Sequence, residues 1–226
     1  MKRILVFIAS LVCASAMAQT RVTIFGDSYS TFEGHIPSTH EPWYAPEGSQ
    51  WSKGENNDVK AVEQTWWHIL IKDMGWVLET NNSWSGSTVG YMGYEYENYK
   101  ERSFNTRAAY LGEPDVILCL AGTNDSWTGE KVGRYKYANW EESDMWYFRP
   151  ALARLLSTIG QNYPKAKLYF ILNSELKDEV NESVHVICRH YGVDCIDLHD
   201  IDKQYGHPSQ AGMKAIAKQV ADYIRK

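Results

Sequence analysis

The sequence predicts an α/β fold, a three-layer sandwich in which helices cover both faces of a five-stranded parallel sheet. Two observations carry that prediction. Apolar runs of strand length alternate along the chain with segments whose apolar residues recur at helical spacing. The most apolar run, Val116 to Ala121, is unbroken, the signature of a strand buried on both faces.

Each element follows from local pattern. Val22 to Phe25 is a short strand ending at Gly26. Val62, Trp66, Ile69 and Leu70 recur at helical spacing, and Gly75 stops that helix. Val77 to Thr80 is a weaker second strand, and Val116 to Ala121 is the third. Leu152, Leu155, Leu156 and Ile159 mark a helix that Gly160 and Pro164 are expected to close. Leu168 to Leu172 forms a fourth strand. Val180, Val184, Ile187, Cys188 and Tyr191 line a helix ending at Gly192, and Val193 to Leu198 is a fifth strand. Met213, Ile216, Val220 and Ile224 give the last helix its apolar stripe. Five strands joined by crossover helices imply a flavodoxin-like order, 2-1-3-4-5, with ligands bound beyond the carboxyl ends of the strands.

The first residues read as a secretory signal. Lys2 and Arg3 form a basic head, Ile4 to Leu11 an apolar run, and Ala16-Met17-Ala18 a small-x-small cleavage site. The apolar run falls short of the roughly 20 residues that span a bilayer. Cys13 follows Val12, where lipoprotein processing wants a small residue. Residues 1–18 are therefore set apart from the fold. Residues 19–226 form one domain, placed outside the cytoplasm (secreted or periplasmic) with no membrane span. Cleavage after Ala18 takes the formal charge from −5 to −7, and an acidic surface argues against nucleic acid as a partner. Of the remaining cysteines, Cys119 lies in a strand run and reads as a buried free thiol. Cys188 and Cys195 are a possible pair, although three cysteines make no disulfide framework.

Two segments break the alternation. Thr31 to Lys60 and Ser126 to Asp144 have no clear period, and each follows a strand on the side where a site belongs. Between them the strand ends carry four short blocks: Gly26-Asp27-Ser28-Tyr29-Ser30, Ser85-Gly86-Ser87-Thr88, Gly122-Thr123-Asn124-Asp125, and Gly206-His207-Pro208-Ser209 before the last helix. Taken singly, each has a plainer reading. Ser28 would be a helix cap, Gly86 a turn glycine, Asn124 and Asp125 turn formers, and His207-Pro208 an ordinary helix start. Together and in order, they resemble the four blocks of the SGNH (GDSL-like) hydrolases over almost the whole mature chain.

That resemblance implies hydrolysis of carboxylic esters or thioesters, with Ser28 as nucleophile and His207 as base. It also implies an oxyanion hole built from the backbone N–H groups of Ser28 and Gly86 and the amide of Asn124. The chemistry needs these residue types. A serine hydroxyl attacks only when a base within reach takes its proton. Imidazole does this at neutral pH and then returns the proton to the leaving alkoxide. The oxyanion formed on attack needs preorganised N–H donors. Asp27 and Asp125 read as structural.

The family pattern breaks at one point. The aspartate that holds the imidazole, three residues before the histidine, is here Gln204. Four replacements are open: Glu175 just past the fourth strand, which ranks first; Asp202; Gln204 itself through its amide oxygen; or a backbone carbonyl. The gap also keeps alive a rival reading, a non-catalytic glycan-binding module on the same fold.

Aromatic residues crowd the same loops: Trp43, Tyr44 and Trp51 in the first, Trp84 beside Gly86, Trp127 beside Asn124, and Tyr135, Tyr137 and Trp140 in the second. Flat apolar rings with polar edges suit sugar rings. A small-molecule or glycan ester, such as a carbohydrate O-acetyl ester, is therefore the expected substrate, with Trp84 and Trp127 as binding residues. Lipase, lysophospholipase or thioesterase activity ranks second. No phosphate-binding loop is present. His185 and His190 are five apart on their helix, and Asp197, Asp200 and Asp202 lack a calcium-loop pattern. Neither cofactor nor metal is expected in the reaction.

Overall fold

The computed structural model describes residues 19–129 and 131–226; the expected signal peptide lies outside the described residues. Five strands form one parallel sheet: β1 (Arg21–Gly26), β2 (Val77–Asn81), β3 (Val116–Leu120), β4 (Lys167–Leu172) and β5 (Asp194–Asp197). Their order is β2-β1-β3-β4-β5, as the sequence predicts. The helices are α1 (Trp66–Met74), the short α2 (Phe104–Arg107), α3 (Thr123–Thr128), α4 (Phe148–Asn162), α5 (Asp178–Tyr191) and α6 (Gln210–Ile224).

Two cores sandwich the sheet. On one face Ile117, Cys119 and Ala121 pack with residues of α4 and α5, among them Leu152, Leu155, Val184 and Ile187. On the other, Val116, Leu118 and Leu120 meet Trp66, Leu70, Met213, Ile216 and Val220 of α1 and α6. Because side chains alternate across a strand, β3 is apolar at every position, and all its residues are buried. β2, at the edge, is half-exposed along most of its length, which explains its weak sequence pattern.

One expectation is corrected. α4 runs through Gly160 to Asn162 rather than closing there. The Gly160 site faces open space, and the roughly 1 kcal/mol helix penalty of glycine is outweighed by the packing of Leu155, Leu156 and Ile159. His207-Pro208 lies just before the last helix. It forms β7 (His207–Pro208), paired antiparallel with β6 (Lys203–Gln204) in a small hairpin. The hairpin turn, Tyr205 and Gly206, has positive φ at both residues (49° and 75°), the backbone twist that favours a two-residue hairpin. Ser209 then caps α6, its hydroxyl accepting from the Gly212 N–H.

Candidate active site

Ser28 stands at the carboxyl end of β1, where the chain passes from strand into a single 3₁₀ turn, Ser28–Ser30. Asp27 caps that turn by accepting the Tyr29 N–H at 3.0 Å. Gly26 is required by space: a Cβ there would stand 2.4 Å from Ser30 Oγ and 2.9 Å from Ser83 Oγ. Behind the strand ends, the buried Arg107 guanidinium donates to the carbonyls of Asn82, Arg102 and Gly26, tying β1 to the segment after β2. Burial pushes its pKa down to about 9.

The hairpin brings His207 to Ser28. Ser28 Oγ lies 2.9 Å from His207 Nε2, although the residues are far apart in sequence. Nδ1 of the same ring is 3.1 Å from the Tyr205 carbonyl oxygen. A carbonyl can only accept, so Nδ1 carries the proton and Nε2 presents its lone pair to the serine hydroxyl. Both residues are buried, at 3% and 6% exposure.

The other candidate orienters lie elsewhere, and the expectation for Glu175 is corrected. Its carboxylate is exposed and pairs with Lys203 Nζ at 2.7 Å instead of reaching the imidazole. The neighbouring ammonium is a better partner than a buried neutral ring, and the chain at Glu175 turns through a positive φ of 64°. Asp202 accepts the Ser209 hydroxyl at the start of α6. Gln204 sits opposite His207 in the hairpin, but its Oε1 accepts the Asp58 N–H at 2.8 Å. The contact that orients His207 is main-chain.

The first long loop grips the hairpin. Tyr44 Oη and Asn57 Nδ2 donate to the Pro208 carbonyl at 2.9 and 3.2 Å, and Tyr29 Oη donates to the Gly206 carbonyl at 2.6 Å. Trp43 lies flat on His207, with ring centroids 3.5 Å apart and planes 7° from parallel. Lys53 Nζ stands 4.5 Å from the Trp43 ring. Trp127 meets the imidazole edge-on at 6.0 Å and packs against Gly206, while remaining 42% exposed.

Charge in the site is set by burial. Loss of water pushes the His207 pKa down to about 4; the Tyr205 carbonyl works against this, and Lys53 and Lys203 add to it. Burial likewise raises Asp27 to about 7, although the Tyr29 N–H and Arg107 oppose the rise.

Gly86 and Asn124 come together through Ser87. Asn124 Nδ2 donates to the Ser87 carbonyl at 2.9 Å, and its Oδ1 accepts from Tyr94 Oη at 2.8 Å. Those two bonds fix the amide plane and leave one amide hydrogen uncommitted. Gly86 has a φ of 77°, and among the described residues no acceptor meets its N–H. Asp125 accepts the Val89 N–H, bracing the loop that follows Gly86. Trp84 takes a place the sequence did not suggest, stacked on His40 at 4.3 Å with the Arg102 guanidinium 5.3 Å from its ring.

The residues that sequence reasoning missed are Trp43 as a ring partner of His207, Tyr94 as the support of Asn124, and Tyr205 through its carbonyl. Only Tyr205-Gly206 left a trace, and a weak one, since such turns favour Asn or Asp before Gly. Among the described residues, the donor atoms that converge as a metal requires belong to His185, Cys195 and Asp197, none of them at this site.

A three-layer α/β sheet with a serine at its first strand end, bonded to an imidazole from a late hairpin, defines a hydrolase of the SGNH class. The chain belongs to the GDSL-like lipase/acylhydrolase family, whose model matches residues 20–224. Two crystal structures of proteins described as GDSL-like lipases resemble it throughout. That from Bacteroides ovatus ATCC 8483 has a TM-score of 0.89 at 47% identity, covering 92% of this chain and 99% of that one. That from Bacteroides uniformis ATCC 8492 has a TM-score of 0.88 at 51% identity, covering 92% and 96%. An acetyl xylan esterase from Butyrivibrio proteoclasticus shares the fold at 15% identity and a TM-score of 0.59, over 92% of this chain and 64% of its own length. A comparison with curated proteins returns no match.

Proposed function

We propose that this chain is an exported serine esterase that removes small acyl groups from carbohydrates through an acyl-serine intermediate. The observation that carries the reading is the 2.9 Å contact between Ser28 Oγ and the acceptor nitrogen of His207, whose tautomer is fixed by the Tyr205 carbonyl. Ser28 attacks the ester carbonyl as His207 Nε2 takes its proton. The oxyanion is held by the N–H groups of Ser28 and Gly86 and the uncommitted Asn124 amide hydrogen. The imidazolium then protonates the leaving sugar hydroxyl. Water repeats the sequence on the acyl-serine, releasing the acid and restoring the neutral dyad.

The carbohydrate assignment rests on what the surface offers. The large apolar side chains exposed among the described residues are Tyr96, Tyr110, Trp127, Tyr147 and Tyr205, all aromatic. Trp127 stands edge-on to the imidazole, giving a sugar ring a flat face to stack on. No aliphatic patch of the kind that docks on lipid is among them. Among the described residues no helix is long and apolar enough to cross a membrane, and the amino-terminal pattern of residues 1–18 supports export.

The test has two parts. Ser28→Ala should lower acetate release from acetylated sugars by about 10⁴-fold or more, while the circular dichroism spectrum and Tm stay close to wild type. Wild-type kcat/KM for acetylated sugars should exceed that for long-chain acyl esters. An active Ser28→Ala enzyme refutes the mechanism; a preference for long acyl chains refutes the substrate class.

A further inference from the structure

A second cluster of reactive side chains lies away from Ser28. On α5, His185 and Cys188 are three residues apart and share a face; on β5, Cys195 and Asp197 are two apart and share a face. The faces meet where α5 packs against the edge strand. His185 Nε2 is 2.7 Å from Asp197 Oδ1, and the Cys195 thiol lies 3.7 Å from the same oxygen. The donor atoms of these three residues all fall within 4.8 Å of one another. Cys188, on the same face of α5 as His185, is buried at 2% exposure and lies outside that convergent group.

We propose that His185, Cys195 and Asp197 form a site for a divalent transition cation of the zinc type, clipping α5 to β5, with a water completing the four-coordinate shell. A thiolate, an imidazole and a carboxylate are a borderline-soft donor set suited to tetrahedral zinc, and their two negative charges balance the cation. Zinc–sulfur bonds of about 2.3 Å and zinc–nitrogen bonds of about 2.0 Å need donor atoms some 3.3–3.8 Å apart. The His185–Asp197 bond must therefore open by under about an ångström. Both side chains are free to move, with 41% and 61% of their surfaces exposed. Binding sends the Cys195 thiol proton to solvent. A disulfide between Cys188 and Cys195 would use the sulfurs alone and leave the convergence of His185 and Asp197 without a purpose; the cation uses all three convergent groups.

The site shares no residue with the Ser28–His207 pair, so it stands or falls independently of the esterase reading. The experiment is a titration of the reduced, metal-free full chain with Co²⁺, followed by absorbance. The expected result is a near-ultraviolet sulfur-to-cobalt band with the visible bands of a four-coordinate ion, displaced by one equivalent of Zn²⁺. Cys195→Ser should abolish the sulfur band, and His185→Ala and Asp197→Asn should each weaken Co²⁺ binding at least about tenfold. Zn²⁺ should raise the Tm of the wild type, since it binds the folded state alone, and leave that of Cys195→Ser unchanged. The proposal is overturned if the reduced wild type shows no sulfur band, or if His185→Ala and Asp197→Asn bind Co²⁺ as tightly as wild type, which would mark a bare dithiol.

Discussion

The sharpest prediction concerns the acid limb of the pH–rate profile. His207 acts as a base only when neutral, so kcat/KM is lost as pH falls through its pKa in the free enzyme. Burial puts that pKa at about 4 rather than the ordinary 6.5. At pH 5.5 an ordinary imidazole would be about 10% neutral, whereas His207 should be more than about 95% neutral. The ratio of kcat/KM at pH 5.5 to that at pH 7.5 should therefore be near one, where an unshifted base would give about 0.1. Acetate release measured chromatographically, with a neutral acetate ester as substrate, avoids a chromophore that itself titrates. A limb near 6.5 would refute the account, because it would mean that water or a carboxylate reaches the ring in solution. Linkage supplies an independent check. The unfolded chain takes up the histidine proton below about 6.5 and the folded chain only below about 4, so this group's contribution is full above 6.5 and falls by about 3 kcal/mol as pH drops through that window. Asp27 has the opposite sign: raised from 3.8 to about 7, its contribution is full below 3.8 and lost as pH rises to 7. The two slopes offset in wild type, and Asp27→Asn should unmask the histidine slope in urea melts at pH 4.5 and 6.5.

The remaining predictions concern single contacts. Asn124→Ala should lower kcat by about 10²–10³ with little change in KM, and Tyr94→Phe, which only frees the amide plane, should cost about tenfold or less; equal effects would mean that Asn124 works through Tyr94 alone. Trp43→Ala should lose about 2–10-fold in kcat, and Trp43→Phe should recover most of it, as expected of a ring stack worth about 0.5–1.5 kcal/mol. Glu175→Gln should leave kcat/KM within about twofold, because its exposed carboxylate pairs only with Lys203; a loss above about tenfold would restore the carboxylate as orienter.

What the sequence disclosed, and what it withheld, divides along a physical line. The unbroken run of β3 and the apolar stripes of α5 and α6 are local signals of burial, and the structure has those elements where the patterns put them. The four blocks were legible because each sits at a strand end or helix start with its own turn chemistry. The hairpin that carries His207 was not, since strands of two residues are too short to leave an alternation. The orienter was least legible of all. A carbonyl oxygen belongs to every residue, so its selection by His207 has no signature in residue type, and a search among side chains settles on whichever carboxylate is nearest in the topology. Trp43 was visible as a loop aromatic, but which of the loop aromatics would lie on the imidazole depends on contacts made across most of the chain.

The substitution of a carbonyl for a carboxylate changes more than geometry. A carboxylate on Nδ1 would favour the imidazolium in the resting enzyme and raise the pKa of the base. The Tyr205 carbonyl fixes the same tautomer with a dipole, leaving burial to dominate and the ring neutral well into acid. The cost falls in the transition state, where the developing imidazolium lacks a counter-charge. The face of Trp43, 3.5 Å away and nearly parallel, is the group placed to offset part of it, since an aromatic face attracts a desolvated cation by about 0.5–2 kcal/mol. Lys53 beside the same indole pulls the other way. The resting state is thus tuned toward the free base at the expense of its protonated form. That balance suits the proposed ester cleavage, because an imidazolium made more acidic by its surroundings gives up its proton more readily to a departing alkoxide.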